Sequence, residues 1–156
     1  MTDEQIREME QFIVRAKAAT YAGDGPRLLP YRLGSHDLQF AQGNWVYHDS
    51  YFGEADFLGQ EVVYYRGVPV WGMNYYGRLL MPERISAPEI GQMIMRSLTQ
   101  LYQEGRFLGA FEHVDGDLRY TDENEGDVRA FLGVERIFLA GDLVYRLHYH
   151  GGLITG

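Results

Sequence analysis

Residues 57–80, FLGQEVVYYRGVPVWGMNYYGRLL, read as two strands joined by a tight turn at Arg66-Gly67. Apolar and polar residues alternate on both sides of that turn, as a sheet with one buried face requires. An altered copy closes the chain: residues 131–154, FLGVERIFLAGDLVYRLHYHGGLI, at a constant offset of 74. Nine of the 24 aligned positions are identical, among them Gly59/Gly133, Glu61/Glu135, Gly67/Gly141, Tyr75/Tyr149 and Gly77/Gly151. Background composition gives roughly two. Conservative pairs include Val63/Ile137, Trp71/Tyr145 and Met73/Leu147.

Upstream segments repeat in the same order. Asp37-Leu38-Gln39-Phe40 precedes the first hairpin and Asp117-Leu118-Arg119-Tyr120 the second, while Ile13-Val14-Arg15 with Tyr21 is echoed by Ile94-Met95-Arg96 with Tyr102. The expectation is one α+β domain over residues 1–156, an internally duplicated unit of a helix and antiparallel strands. Its halves are about 2–80 and 86–154, and they form one antiparallel sheet with two helices packed on one face. Chance resemblance between two hairpins, each needing glycine and alternating apolar residues, is the alternative.

The first helix is predicted over residues 2–20. Thr2 and Gln5 have capping-box spacing, and Ile6, Met9, Ile13 and Ala16 form its apolar stripe, with Gly23 as its stop. A second helix is predicted over 86–104, opened by Ser86 and Glu89. Between them, residues 23–36 read as a loop in which Arg27 and Arg32 are candidates to clamp an anion, against the plainer reading of solvated arginines. Two short strands over 37–51 turn at Gln42-Gly43-Asn44. Residues 107–114 read as a strand, 118–121 as another, and the run Asp122–Asp127, DENEGD, as an acidic surface loop.

Composition narrows the function. Net charge is −8 with a single lysine, Lys17, which argues against nucleic acid or an anionic membrane as a partner. No apolar run approaches a membrane span, and the acidic start is no signal peptide, so a cytoplasmic protein is expected. The absence of cysteine removes disulfides and thiolate catalysis. Twelve tyrosines suit a lined cavity or an interface, and equally a half-exposed sheet.

Glu61 and Glu135 fall on the face assigned to the core, where a carboxylate is costly unless paired. Near a pseudo-twofold axis they would line one cavity, bind a cationic ligand or divide acid and base roles. Trp71, Tyr75, Tyr145 and Tyr149 would complete an aromatic box. Core packing explains the aromatics equally well, and a strand-end hydrogen bond explains each glutamate. His148 and His150 have metal-ligand spacing but no evident third ligand, so no metal and no cofactor are expected.

At Phe57-x-Gly59-x-Glu61 and at residues 69–77, PVWGMNYYG, the chain resembles a bacterial family described only as a domain of unknown function. Members sometimes follow a helix-turn-helix DNA-binding domain, which implies a sensor or effector role. The resemblance runs from about Phe12 to Tyr149 and transfers no functional residues. Three readings remain open: a module binding a small apolar or cationic molecule, an enzyme using Glu61 or Glu135 as general acid or base, and a homodimer pairing through its sheet.

Overall fold

The computed structural model describes residues 1–21 and 28–156. The expected helix stop at Gly23 and the arginine Arg27 lie outside the described residues. Two helices and an eight-stranded antiparallel sheet make up the described fold, which is α+β as expected. The order is α1 (Asp3–Tyr21), β1 (His36–Gln42), β2 (Trp45–Gly53), β3 (Phe57–Tyr65), β4 (Val68–Leu79), α2 (Ala87–Gln103), β5 (Phe111–Asp115), β6 (Leu118–Asp127), β7 (Ala130–Leu139) and β8 (Asp142–Leu153). Both helices open on reciprocal capping boxes. Thr2 N–H donates to Gln5 Oε1 at 2.9 Å and Gln5 N–H to Thr2 Oγ1 at 3.2 Å, while Ser86 N–H donates to Glu89 Oε2 at 2.9 Å.

In space the strands run β1-β2-β3-β4-β8-β7-β6-β5, two four-stranded meanders meeting at β4 and β8. Tyr75 lies opposite Tyr149, its counterpart at the offset of 74, and Trp71 opposite Leu153, Leu79 opposite Tyr145. Exchanging β4 for β8 therefore maps this register onto itself about the Tyr75/Tyr149 pair. The hairpin turns match as well. Arg66 (φ 51°) and Gly67 (φ 80°) correspond to Ala140 (φ 49°) and Gly141 (φ 92°), the left-handed pair that a two-residue hairpin requires. Irregularities in register fall at Val63/Tyr64 and at Ile137/Phe138, again 74 apart.

Three sequence readings are corrected. The run 122–127 is not a surface loop but the second half of β6, and Asp122 is buried. Charge density made it look solvated, yet every second residue of a strand turns inward. The pairing of Asp37-Leu38-Gln39-Phe40 with Asp117-Leu118-Arg119-Tyr120 is also out of register. By position in the sheet, β6 corresponds to β2, so Gly43-Asn44-Trp45-Val46-Tyr47-His48-Asp49 matches Gly116-Asp117-Leu118-Arg119-Tyr120-Thr121-Asp122 at an offset of 73. Tyr47 and Tyr120, both fully buried, then coincide, as do Asp49 and Asp122. The strand expected over 107–114 begins only at Phe111, because Arg106 binds the carbonyls of Leu108, Gly109 and Ala110 and holds that backbone in a loop.

The core gathers alternate strand residues and the apolar stripes of the helices. Phe12 of α1 stacks on Trp45 of β2 at 5.9 Å. Trp71 and Phe131 stack at 5.8 Å, and Trp71 Nε1 donates to the Val128 carbonyl at 3.0 Å. Among the described residues six tyrosines are buried, so the enrichment serves the interior first. The opposite side of the sheet carries exposed Leu58, Tyr76 and Leu132. Among the described residues no helix is long and apolar enough to cross a membrane.

Candidate functional site

Two rows of residues cross the sheet in opposite directions. One runs Asp49 (β2), Glu61 (β3), Met73 (β4), Gly151 (β8), Phe131 (β7); the other runs Asp122 (β6), Glu135 (β7), Leu147 (β8), Gly77 (β4), Phe57 (β3). Each row therefore starts with an aspartate and a glutamate as cross-strand neighbours. Between them lie Tyr75 and Tyr149. The Tyr75 hydroxyl donates to Asp49 Oδ1 at 2.8 Å, and the Tyr149 hydroxyl donates to Asp122 Oδ1 at 2.7 Å.

Glycine makes these bonds reachable. A Cβ on Gly59 would lie 2.3 Å from the Tyr75 ring, and one on Gly133 2.1 Å from the Tyr149 ring. With no side chain there, each tyrosine leans across the adjacent strand to the aspartate beyond it. The identity of Gly59 and Gly133 in the sequence thus follows from the tyrosines they carry.

The two rows differ in how their glutamates are satisfied. Glu61, 2 % exposed, receives Lys17 from α1, whose Nζ lies 2.7 Å from Oε1 and 2.6 Å from Oε2. Glu135 has no such partner: its Oε2 is sealed from solvent without a hydrogen bond among the described residues, although the residue keeps some exposed surface elsewhere. Both glutamates line a single cavity of ≈30 Å³, together with Lys17, Tyr75, Leu98 and Tyr102. A second hollow of ≈20 Å³ shares Lys17, Leu98, Tyr102 and Glu135 and reaches Asp122 and Tyr149. A water needs roughly 10–15 Å³ of such space, so a few waters or one small polar group would fit.

Three carboxyls around the Lys17 ammonium are displaced from their ordinary values. Burial pushes Glu135 up to about 8, and the charge of Asp122 adds to this, while Lys17 and the Tyr120 hydroxyl oppose it only in part. Burial raises Asp49 to about 7, helped by the charge of Glu61 and countered by the Tyr75 hydrogen bond. Asp122 rises to about 6 through burial, restrained by Tyr149 and Lys17.

Of the residues singled out from the sequence, Glu61, Tyr75, Glu135 and Tyr149 come together around these cavities. Trp71 and Tyr145 do not line them. Trp71 packs edge-on to Phe107, and Tyr145 stacks with Phe57 over Gly77. Sequence reasoning missed Lys17, Asp49, Asp122, Leu98 and Tyr102. The signal for Lys17 was present: it follows Ile13 by four residues and so falls on the apolar stripe of α1. Arg32 is held within the fold, donating to the Ser50 carbonyl at 2.7 Å and lying 4.7 Å over the Phe52 ring. His150 lies on the exposed side, with Nε2 at 3.5 Å from Asn74 Nδ2.

A separate buried carboxyl, Asp37, sits at the edge of the sheet. It bonds His48 Nε2 at 2.8 Å, the Tyr31 N–H at 3.2 Å and the Ser35 hydroxyl. Burial alone would raise it, but these hydrogen bonds, with one from Ser50, outweigh burial and hold it at about 2. This cluster ties residues 31–35 to β1 and β2.

A family model described as a domain of unknown function, DUF5680, matches residues 49–154. That span covers about two thirds of the chain and includes both aspartate–glutamate rows and α2, but not α1 with Lys17. No curated protein and no solved structure matches the chain.

Proposed function

Because the chain belongs to the DUF5680 family, described only as a domain of unknown function, its function has to be read from the site, and we propose that it is a small-molecule binding module. The binding site in this reading is the paired cavity at the centre of the sheet, with Glu61, Tyr75, Glu135 and Tyr149 as its polar lining and Trp71 and Tyr145 as the packing behind it. The fold is an internal duplication whose two helices cover one sheet face and close that cavity between the halves.

One observation carries this reading. Glu61 and Glu135 line the same hollow, yet only Glu61 is ion-paired among the described residues; Glu135 has the Tyr120 hydroxyl and the field of Lys17 but no cation of its own. A buried carboxyl oxygen without a partner costs on the order of 1–3 kcal/mol or more. Such a group is retained where it recognises something. Lys17 already occupies Glu61, which argues against Glu61 as a free base and moves the ligand-facing role to Glu135.

A thermal-shift screen of metabolites against the intact chain tests the module. Ligands specific to the native state raise the Tm, and Leu98→Phe, which fills the hollow, is expected to remove the shift. A screen without hits, or hits indifferent to Leu98→Phe, would sink the assignment. The enzyme reading keeps one supporting observation, that Glu135 rises to about 8 and so suits a general acid at neutral pH. A hit that is also turned over, with turnover lost and binding kept in Glu135→Gln, would establish it.

A further inference from the structure

We infer that the ligand is a small organic cation, a primary ammonium on a short alkyl stem, whose charge serves Glu135 as Lys17 serves Glu61. This rests on the binding-module reading and adds the chemical class of the ligand.

The inference comes from comparing the two helices position by position. At an offset of 81, Met9, Phe12, Ile13, Ala16 and Lys17 of α1 correspond to Ile90, Met93, Ile94, Ser97 and Leu98 of α2. Every member of both sets is buried, so the helices present equivalent faces. Hydroxyls differ at Ala16/Ser97 and Thr20/Leu101, but within this set charge differs at one place. Lys17 and Leu98 both line the central cavity, but only Lys17 carries charge. The glutamates beneath them are the same residue at the offset of 74. One half therefore supplies its own ammonium, and the other puts an apolar side chain where that ammonium would stand.

Charge and shape agree on the class. Glu61 and Glu135 line one hollow, Asp122 and Glu135 the other, and Asp49 is the cross-strand neighbour of Glu61, with Lys17 the one buried cation among the described residues, so a second positive charge is electrostatically favoured. Hollows of ≈30 and ≈20 Å³ admit an ammonium with one or two carbons and exclude a drug-sized molecule. Met73, Leu98 and Leu147 offer apolar wall to an alkyl stem, and the Tyr102 and Tyr149 rings offer aromatic faces to a cation. A hard metal ion prefers six or more oxygens and gains nothing from that wall.

The test is a thermal-shift series at pH 8 on the full chain. The probes are methylammonium chloride and ethylammonium chloride, with sodium chloride, methanol and sodium acetate at equal concentration as comparisons. The ammonium salts are expected to raise the Tm by about 2–5 °C over sodium chloride. Glu135→Gln should abolish that rise. Leu98→Lys should raise the Tm without any ligand and no longer respond to ammonium. Glu135→Gln decides alone if Leu98→Lys does not fold. An ammonium shift that survives Glu135→Gln overturns the proposal, as does an equal shift with sodium chloride. A shift with methanol or acetate but not ammonium overturns the cation and leaves the binding module standing, whereas silence from all five probes removes both.

Discussion

The two meanders of the sheet share a plan and divide at one interaction. In each, a tyrosine leans over a glycine to hold a buried aspartate, and that aspartate neighbours a buried-face glutamate. In the first the glutamate is ion-paired to Lys17; in the second it shares a hollow with Leu98 and has no ion pair among the described residues. The difference teaches that the Tyr–Gly–Asp arrangement belongs to the scaffold, since both halves keep it. The glutamate's environment is where the two meanders differ.

The largest expected effect comes from removing the lysine. Lys17→Met leaves Glu61 buried and uncompensated, which costs about 3–5 kcal/mol, measured by urea denaturation at pH 7. Adding Glu61→Gln should recover most of that loss. A cost below about 1 kcal/mol would mean that the ion pair does not distinguish the halves.

Next come the tyrosines. Tyr75→Phe and Tyr149→Phe each strip a buried aspartate of its hydrogen bond, and each is expected to cost about 1–3 kcal/mol. The two costs should agree closely. A large inequality would break the equivalence of the rows.

Glu135→Gln should act with the opposite sign to Lys17→Met. Its carboxyl is raised to about 8 in the folded state, so the folded protein holds a proton that the unfolded chain releases nearer the ordinary 4.5. That contribution to stability is complete below the unfolded value and is lost as pH rises through about 8. Gln cannot ionise, so the variant should gain on wild type by about 4 kcal/mol between pH 5 and pH 9. Stability measured by denaturant at the two pH values checks this, and absence of that gain would contradict the burial of that carboxyl.

The smallest effect concerns the pH profile of the wild type. Asp49 at about 7 and Asp122 at about 6 lose stability in the same rising direction as Glu135. Asp37, depressed to about 2, works oppositely: its contribution is present above the ordinary 3.8 and is lost as pH falls towards 2. The Tm should therefore be highest near pH 4 and decline on both sides. His48→Ala, which removes one of the Asp37 hydrogen bonds, should soften the acid limb alone.

Much of this was legible in the chain itself. The alternation around Arg66-Gly67, the recurring glycines and the capping boxes are local signals, because turn geometry and strand periodicity are set by neighbouring residues. They placed Glu61 and Glu135 on the buried side and predicted a hollow between the halves. Two signals misled: the acidic run that hides β6, and the Asp-Leu match that lay one strand out of register. Composition cannot show which of several acids a sheet turns inward.

What only the tertiary structure decided is which distant groups meet. Lys17 and Glu61 are 44 residues apart, and Tyr149 and Asp122 are 27 apart. The pairing of β4 with β8 brings Tyr75 against Tyr149. Such contacts arise because burying the apolar faces of helices and strands forces their few charged members into one shared volume, where each must find a partner or remain unsatisfied. The sequence specified the faces; closure of the fold determined that Glu61 would have a cation of its own and Glu135 would not.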